Sequence, residues 1–367
     1  MKIRHYIVLL VFILTSLQSK AQCYYSFKDT MNSWQYWVFE KGEYHLAEKL
    51  ESSRHQLGWD YSVYIDKFQN FRYFKFGVNN KIQEFQPAFY KATDHLLIWE
   101  NAGGLLYVFS DGKTQELGRW IGRNYVYGDS IVAFTDNYGY LQIFYKGKLN
   151  QIENYVIENL KASDNLVAYV TANQLFNVFH QGETFILEDG NAPLSFEANR
   201  NIVAYVDYLG VFKVYWNGEV YDIASFQPQR YITGEDFVVF ISPLNEFKIF
   251  YKGEVKELLS YIPPKYEVIE NILVYTDRAK FFNVFFKGKQ ETLEYFVPKN
   301  YKADNNMLAY PDLDGYLVAY DNGVKKRIGN AVAKFYDVHN GTVFYWQNPS
   351  QVNCFCEGKN YPYQLGY

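Results

Sequence analysis

Side chains that could do chemistry are sparse in this sequence. No two of its histidines show the His-x-x-x-His spacing of a metal site. We expect those at positions 95 and 339 to lie in solvated turns. The sequence therefore predicts no histidine-based metal site or cofactor site. The six histidines are His5, His45, His55, His95, His180 and His339.

The acidic residues follow a pattern of turns. Residues 312–315, Asp-Leu-Asp-Gly with Asp321 further on, partly resemble a calcium loop. The matching segment 136–139 lacks the second acid, and Asp and Gly are common turn formers. We therefore expect turn hydrogen bonds rather than a catalytic acid pair, also for the acids that follow other predicted strands. These are Glu100, Asp207 and Asp277.

Several functional classes have no support in the sequence. It contains no Gly-x-Ser-x-Gly elbow, no phosphate-binding loop and no Cys-x-x-Cys pair. The net charge is −4 and no basic block is present, which argues against nucleic-acid binding. Aromatic residues make up 20% of the chain, enough for a large core.

A glycine recurs every 35 residues, with one step of 36 between Gly182 and Gly218. We call these positions the repeat glycines. In nine of the ten repeats the glycine follows a polar residue before a predicted strand, where a tight hairpin needs the positive φ that glycine adopts easily. A period of this length indicates a solenoid, a propeller or another repeat array. The repeat glycines are Gly42, Gly77, Gly112, Gly147, Gly182, Gly218, Gly253, Gly288, Gly323 and Gly358.

Two aromatic columns accompany the repeat glycines. The first lies three residues before every repeat glycine, from Phe39 in repeat 1 to Phe355 in repeat 10. The second lies thirteen residues before the glycine in the nine later repeats, from Tyr64 to Tyr345. In repeat 1 this register slips, and we expect Phe27 to occupy the position.

Each repeat is predicted to form four short β-strands. In repeat 4 these are residues 125–128, 131–135, 140–145 and 149–153, separated by polar or glycine turns. No segment shows a convincing helical period. The chain is therefore predicted to be all-β.

The third strand of each repeat has apolar side chains on both faces. In repeat 7, Phe247, Ile249 and Tyr251 point to one side and Phe250 to the other, because side chains alternate along a strand. Such a sheet must be covered on both sides, as a propeller blade is by its two neighbours. His180 occupies the position of Tyr251 in its own repeat, so we expect it to be a packing residue.

Prolines collect in the connections between repeats. Proline cannot donate a hydrogen bond within a central sheet. We therefore place the first strand of each repeat innermost, the fourth outermost, and the proline segment in the link to the next blade. These prolines are Pro87, Pro193, Pro228, Pro263, Pro264 and Pro298.

The repeat, with its Val-Ala-Tyr-x-Asp and Phe-Lys-Val-Tyr segments before the glycine, resembles WD40-like and TolB-like β-propeller repeats over residues 23–367. The Gly-His and Trp-Asp dipeptides of true WD40 repeats are missing. The resemblance implies an all-β fold. We predict a single β-propeller of about ten short four-stranded antiparallel blades, spanning residues 22–367.

Two other architectures remain open at this point. Ten blades exceed the usual four to eight, and two tandem five-bladed propellers would have the same repeats. The 36-residue step lies beside Gly190 and Pro193, between repeats 5 and 6, where such a boundary would fall. The second alternative is an open, unclosed array.

The three cysteines test ring closure. Cys23 begins repeat 1, whereas Cys354 and Cys356 lie in the third strand of repeat 10. The first and last blades are neighbours only in a single closed ring. We therefore predict a disulfide between Cys23 and either Cys354 or Cys356, which would strengthen closure where repeat 1 lacks its innermost strand.

The first 21 residues are predicted to be a cleaved signal peptide. Lys2 and Arg4 precede an apolar stretch at residues 6–17, and small residues at 19 and 21 mark cleavage before Gln22. The stretch is too short to span a membrane. Acylation of Cys23 would require a small residue in place of Gln22.

The signal sequence ending in Ala-Gln resembles those of Bacteroidota. We expect a periplasmic protein, or alternatively a secreted one, with no membrane span after cleavage and no sorting domain after the last strand at 361–367. The predicted function is a non-enzymatic binding scaffold of the cell envelope. It would dock an envelope protein such as an outer-membrane translocon or secretion complex, as a cap or plug. The alternatives are a carbohydrate-binding propeller, with exposed Trp or Tyr pairs on one face, and a glycoside hydrolase or lyase, with acids converging at the channel mouth.

Overall fold

A computed structural model describes residues 23–119 and 125–366, which form antiparallel β-sheets throughout. The predicted signal peptide, residues 1–21, lies outside the described residues. Within the two described ranges, no helix is long and apolar enough to cross a membrane.

The strands form ten successive sheet units, blades 1 to 10, in each of which neighbouring strands pair in chain order. Blade 1 comprises β1 (Tyr24–Asp29), β2 (Gln35–Glu40) and β3 (Glu43–Glu48). Blade 2 comprises β4 (Ser53–Leu57), β5 (Ser62–Ile65), β6 (Phe71–Lys75) and β7 (Val78–Gln83). Blade 3 comprises β8 (Phe89–Ala92), β9 (Leu97–Glu100), β10 (Leu105–Ser110) and β11 (Lys113–Arg119). Blades 4 and 5 comprise β12 (Tyr125–Tyr127), β13 (Ile131–Thr135), β14 (Tyr140–Tyr145), the shared β15 (Lys148–Ser163), β16 (Leu166–Thr171), β17 (Phe176–His180) and β18 (Glu183–Glu188).

The remaining five blades are regular four-stranded units. Blade 6 comprises β19 (Ser195–Asn199), β20 (Ile202–Val206), β21 (Phe212–Trp216) and β22 (Glu219–Ala224). Blade 7 comprises β23 (Arg230–Thr233), β24 (Phe237–Ile241), β25 (Phe247–Tyr251) and β26 (Glu254–Leu259). Blade 8 comprises β27 (Lys265–Ile269), β28 (Ile272–Thr276), β29 (Phe282–Phe286) and β30 (Lys289–Glu294). Blade 9 comprises β31 (Lys302–Asp304), β32 (Met307–Pro311), β33 (Tyr316–Asp321) and β34 (Val324–Val332). Blade 10 comprises β35 (Phe335–His339), β36 (Thr342–Asn348), β37 (Gln351–Cys356) and β38 (Lys359–Gln364).

The link between blades 4 and 5 differs from the expected one. The fourth strand predicted at 149–153 continues as β15 to Ser163, so that the two blades share one seven-stranded sheet. Residues 148–163 contain neither proline nor glycine. Nothing in this segment interrupts the extended backbone, whereas five of the other links contain proline.

Interblade packing confirms the two-sided third strand. Phe247 and Ile249 of β25 pack with Leu273 of blade 8, while Phe250 packs with Ala204 of blade 6. The side chains of Phe247, Ile249, Phe250 and Ala204 are all fully buried. Each blade is therefore held between its two neighbours by large apolar side chains, as the aromatic columns predict.

Blades 10 and 1 close the ring. The ring of Tyr25 stacks on that of Phe344 with centroids 4.6 Å apart, and the Tyr24 N–H donates to the Thr342 hydroxyl at 3.1 Å. This contact joins the two ends of the repeat array, so the single ten-bladed propeller is confirmed. Two tandem propellers and an open array are both excluded. The extra residue of the 36-residue step lies before Pro193 in an interblade link.

A disulfide joins Cys23 to Cys356 across the same seam, with their Cα atoms 5.7 Å apart. This is one of the two predicted pairings. Cys354, two residues earlier on the strand, is a buried free thiol. Burial raises its pKa well above the usual range, so the thiol is held in its neutral, unreactive form.

Blade 1 has three strands in the described part of the chain, in agreement with the missing inner strand of repeat 1. Its first strand, β1, is equivalent to the second strand of the other blades. Phe27 faces Trp37 across the ladder as Tyr64 faces Arg72 in blade 2. Phe27 therefore occupies the position of the second aromatic column, as predicted.

The alternating strand direction creates two different ends of the propeller. The turns between first and second strands, and those that contain the repeat glycines, lie at one end, which we call the turn face. The hairpins between second and third strands lie at the other end with the interblade links, and we call this end the hairpin face. First strands of adjacent blades contact one another, which confirms that they are innermost.

Candidate functional site

The hairpin face presents large apolar side chains to solvent. Six hairpins end in an apolar or aromatic residue that is between 62% and 78% exposed. We call these residues the hairpin tips. Large exposed apolar side chains on one face can serve as anchor residues for a binding partner. The hairpin tips are Met31, Phe68, Tyr138, Leu209, Leu244 and Leu313.

The hairpin tips are held rigidly by the turn residue that precedes them. In blade 2, Asp66 accepts hydrogen bonds from the backbone N–H groups of Phe68 and Asn70, both at 2.9 Å. In blade 6, Asp207 does the same for Leu209 and Val211. A side chain fixed in this way loses little conformational freedom when it enters a partner's pocket.

The acids expected in turns mostly fulfil that role. Asp277 accepts the Phe281 N–H at 2.9 Å, and Asp207 also pairs with Lys213 at 3.0 Å. The prediction that Glu100 forms a turn hydrogen bond was wrong. Glu100 is the last residue of β9, and the turn hydrogen bond is made by Asn101.

The segment that partly resembles a calcium loop is one of these turns. Asp312 accepts the backbone N–H groups of Asp314 and Tyr316, and its other oxygen lies 2.6 Å from the Arg327 guanidinium. A cation such as Arg327 already neutralises this carboxylate. Among the described residues, no group of three or more His, Cys, Asp or Glu side chains could hold a metal ion.

A second cluster lies at the axis of the turn face. The turns between first and second strands place one residue per blade, from blade 2 to blade 10, around the central channel. We call this set the axial ring. It is polar and mainly acidic except in blade 2. Its members are Trp59, Asp94, Asp129, Asp164, Arg200, Glu235, Glu270, Asn305 and Asn340.

Hydrogen bonds and ion pairs connect successive members of the axial ring. The Asp94 N–H donates to the Asp129 carboxylate at 3.3 Å. Arg200 bridges Asp164 at 2.8 Å and Glu235 at 3.0 Å. The single arginine therefore neutralises acids of the blades on both sides of its own.

The axial ring closes between blades 10 and 2, and blade 1 takes no part among the described residues. The Asn340 amide donates to the Trp59 carbonyl oxygen at 2.7 Å. His339 lies between the Asp304 carboxylate, 3.0 Å from Nδ1, and the Gly58 carbonyl oxygen, 3.1 Å from Nε2. Within the described residues, ten blades thus surround nine turns at the axis.

The prediction that His339 is solvated was wrong. It is the last residue of β35 and most of its side chain is buried. Burial lowers the pKa of a histidine, but the hydrogen bond and charge of Asp304 outweigh this effect and raise the pKa of His339. His95 is exposed in a turn, as expected. His180 is buried and contacts the Tyr215 hydroxyl at 3.1 Å, so its packing role is confirmed.

Four carboxyl groups of the axial ring have a raised pKa, those of Asp94, Asp164, Glu235 and Glu270. Burial, and then repulsion from Asp129, raise the pKa of Asp94 to about 7 and that of Asp164 to about 8. Carboxyl groups in this range exist partly as neutral acids near pH 7 and can donate hydrogen bonds to one another. The arrangement can therefore exchange protons with solvent and change its charge near neutral pH.

The axial ring was not predicted from the sequence, although its positions follow the repeat. Each member lies eighteen residues before a repeat glycine, so a comparison of that position between repeats would have shown the acidic column. The acids were instead attributed to single turns. The hairpin tips escaped notice for a different reason, because an apolar residue in a turn has no chemical motif.

The comparisons with known proteins give these results. A search of curated protein sequences found no match. Among solved structures, a computationally designed protein, Ika8, is 15% identical with a TM-score of 0.35, covering 73% of this chain and 95% of that one. Prp20p from Saccharomyces cerevisiae is 9% identical with a TM-score of 0.32, covering 64% and 82%.

A third similar structure is PorZ, described as a bacterial surface component of the type-IX secretion system of Porphyromonas gingivalis. It is 8% identical with a TM-score of 0.28, and the match covers 86% of this chain and 59% of PorZ. The comparison with protein families covers almost the whole chain. Residues 18–361 match the ten-bladed β-propeller domain, and the protein belongs to this family.

Proposed function

We propose that this protein is a non-enzymatic scaffold of the cell envelope that docks a protein partner through its hairpin face. The observation that carries the proposal is the set of rigid, exposed hairpin tips. A propeller offers a broad, stiff face on which loops are positioned for binding. The fold is compatible with this role.

The form of the hairpin face favours a folded protein as partner. Apolar tips such as Phe68, Leu209 and Leu244 are single side chains separated by polar residues, for example Lys67 and Asn245. Isolated anchors of this kind suit pockets on a protein surface, where a few buried side chains supply most of the binding energy. A specific interface needs roughly 1,200–2,000 Å² of buried surface in total, which several tips together would supply.

The location in the envelope is part of the proposal and rests on the N-terminal sequence. A signal peptide ending at residue 21 would deliver the protein to the periplasm, where the Cys23–Cys356 disulfide is stable. We infer an outer-membrane or secretion complex as the partner, with the propeller acting as a cap or plug. Osmotic-shock fractionation and N-terminal sequencing of the native protein test this point. A mature chain that begins at Gln22 in the periplasmic fraction is expected, and a cytoplasmic chain with an intact N-terminus would contradict it.

The docking surface is tested by site-specific photo-crosslinking in native cells. A photoreactive amino acid at position 68, 209 or 244 is expected to trap one common partner. The matched controls are Val220 and Val255, which are exposed on outer strands of the rim. Trapping of the same partner from these rim positions, or of none from the hairpin face, would contradict the proposal.

Purified components give the quantitative test. The triple variant Phe68→Ser, Leu209→Ser, Leu244→Ser is expected to bind the trapped partner at least ~30-fold more weakly, since each anchor contributes about 1 kcal/mol or more. The double control Val220→Ser, Val255→Ser should retain the affinity of the unmodified protein. If the protein behaves only as a free monomer in native extracts, the scaffold function is wrong.

A further inference from the structure

Blade 2 departs from the repeat at several positions that face blade 3. Tyr73 lies four residues before its repeat glycine, where the other nine repeats have Val, Ile, Ala or Cys. Tyr61 occupies a position that is Leu or Ile in five of the nine other repeats and aromatic in one other, as Phe237. Trp59 is the aromatic member of the otherwise polar axial ring. These three substitutions add aromatic surface to one side of one blade.

The residue that ends the third strand is Tyr, Trp or Phe in four of the ten repeats, whereas in blade 2 it is a lysine that leaves this interface open. In blade 7, Tyr251 ends the third strand and covers the next repeat glycine, so that a Cβ at Gly288 would lie 2.8 Å from its Cε1. In blade 2 that position is Lys75, whose Nζ turns to the Asp60 carboxylate of its own blade at 2.7 Å. A Cβ at Gly112, the next repeat glycine, would have no neighbouring atom within 4 Å.

The result is a radial cleft between blades 2 and 3 on the turn face. It consists of two adjoining cavities of about 500 and 710 Å³, each within the range of small-molecule sites. Both are lined by Tyr73, Lys75, Phe109 and Asp111. The inner cavity reaches Trp59 at the axial ring. Of the ten residues in the first aromatic column, Phe109 alone is not fully buried.

The aromatic rings of the cleft form a preorganised wall. Tyr73 stacks on Tyr61 with centroids 5.3 Å apart and meets Phe109 edge-on at 4.8 Å. The Tyr61 hydroxyl donates to backbone carbonyl oxygens of blade 3, at 2.8 Å from that of Thr93. Because the rings support one another, Tyr73 and Phe109 present their open surfaces without having to reorder when a ligand binds.

Acidic and basic side chains line the cleft beside this aromatic wall. The inner cavity is lined by the carboxylates of Asp60 and Asp94, by His95 and by the ammonium groups of Lys75 and Lys146. Lys75 is neutralised by Asp60. The cleft thus combines apolar ring faces with hydrogen-bond donors and acceptors, and it has no excess of cations.

We propose that this cleft binds a neutral oligosaccharide. Sugar rings have apolar C–H faces that pack on aromatic side chains, and their hydroxyls donate to carboxylates and accept from ammonium or imidazole groups. An elongated cleft that runs from the axis to the outer strands fits a short chain of sugar units. The inference is independent of the docking role, because the cleft lies on the turn face and the hairpin tips lie at the opposite end.

The same residues disfavour two other ligand classes. A phosphate-bearing ligand would meet Asp94 and Asp111 without a dominant basic group or a helix N-terminus. A peptide that binds by strand addition needs an unpaired strand edge. The β6 and β10 strands at the centre of the cleft are paired on both edges, so they offer no such edge.

The purified disulfide-bonded full chain is tested on an array of neutral oligosaccharides of four to eight units. Calorimetry and tryptophan fluorescence then follow with the best neutral hexasaccharide. We expect binding with a Kd of ~1 mM or tighter. Tyr73→Val restores the residue type of the other repeats, and Lys75→Tyr closes the cleft as Tyr251 does in blade 7. Each is expected to weaken binding at least ~10-fold, a change of about 1.4 kcal/mol. The control Val220→Ser, on the outer strand of blade 6, should leave the affinity unchanged.

Three outcomes would overturn the inference. The first is that no neutral oligosaccharide binds at ~1 mM, a limit of about 4 kcal/mol in affinity. The second is a hexasaccharide that binds Tyr73→Val and Lys75→Tyr as tightly as it binds the unmodified protein. The third is an extended peptide that binds the unmodified protein and loses affinity in these two variants, which would assign the cleft to a peptide. None of these results affects partner capture by the hairpin face, so the two proposals fail separately.

Discussion

The interface between blades 6 and 7 and the interface between blades 2 and 3 are built from the same repeat but have opposite outcomes. In the first, Phe250 is fully buried against Ala204 and Phe240. In the second, the equivalent Phe109 is half-buried and lines a cleft. The backbone strands and repeat glycines are the same in both. The difference lies in a few side chains that line the second interface, among them Tyr73 and Lys75 of blade 2.

This difference shows that the repeat and its exceptions have separate roles. Positions that agree in all repeats, such as the first aromatic column, support blade packing in every blade but the third, where Phe109 lines the cleft. A position where one repeat differs, such as Tyr73, creates a surface that exists once among the ten blades described. In a repeat protein without a catalytic motif, such exceptions are the most informative residues for function.

The largest predicted effect distinguishes the two interfaces by stability. Phe250→Ala is expected to lower the free energy of unfolding by about 3–5 kcal/mol, because it leaves a cavity in a closed core. Phe109→Ala should cost about 1–2 kcal/mol, since part of this ring is already in contact with water. Urea denaturation followed by circular dichroism measures both. Equal losses would mean that the cleft is closed in solution and that the comparison is wrong.

The recurring pattern of the ten repeats made the fold predictable from the sequence. Treating the repeats as equivalent, however, concealed the axial ring and the cleft. Strands such as β13 and β14 were predicted to the residue because their apolar alternation and glycine turns recur ten times. The disulfide followed from ring closure and from the position of Cys23. The convergence of the axial ring required the three-dimensional arrangement, since residues as distant as Trp59 and Asn340 meet only when the ring closes. The cleft could have been found by asking which repeat breaks its own pattern.

The seam between blades 10 and 1 is expected to depend on its covalent link. Cys23→Ser should destabilise the protein by about 2–4 kcal/mol, because the disulfide restricts the unfolded chain. The ring contacts between Tyr25 and Phe344 remain, so closure should survive under mild conditions. Cys354→Ser is the matched control that leaves the disulfide intact. A non-reducing peptide map with three free thiols in the protein isolated from its native cells would contradict the pairing.

The axial ring predicts a pH dependence that the regular interfaces lack. Burial raises the pKa of Asp94 to about 7 and of Asp164 to about 8, so the folded chain retains protons that the unfolded chain loses from about pH 4. Stability from these groups is therefore highest at acidic pH and is lost as the pH rises from about 4 to 8. The raised pKa of His339 acts in the same direction, from about pH 6.5 upward.

Urea midpoints at pH 5 and pH 8 measure this effect. Asp164→Asn is expected to reduce the difference between the two midpoints, because the amide does not titrate. The exposed Asp314 provides the control Asp314→Asn, which should leave the difference unchanged. A protein whose midpoint rises between pH 5 and pH 8, with Asp164→Asn behaving like the unmodified chain, would show that the axial carboxylates are ionised and fully paired.

The smallest predicted effect on stability concerns the hairpin tips, and it separates binding residues from packing residues. Leu244 is 77% exposed, so Leu244→Ser should change the free energy of unfolding by less than about 0.5 kcal/mol. Its neighbour Ser242 is buried, and its hydroxyl oxygen accepts the N–H groups of Leu244 and Glu246. Ser242→Ala should therefore cost about 1 kcal/mol, because these donors lose their acceptor. Partner binding should show the reverse order, with the larger loss for Leu244→Ser. If Leu244→Ser destabilised the chain as much as Ser242→Ala, the tip would be a packing residue and the hairpin face would lose its main support as a docking surface.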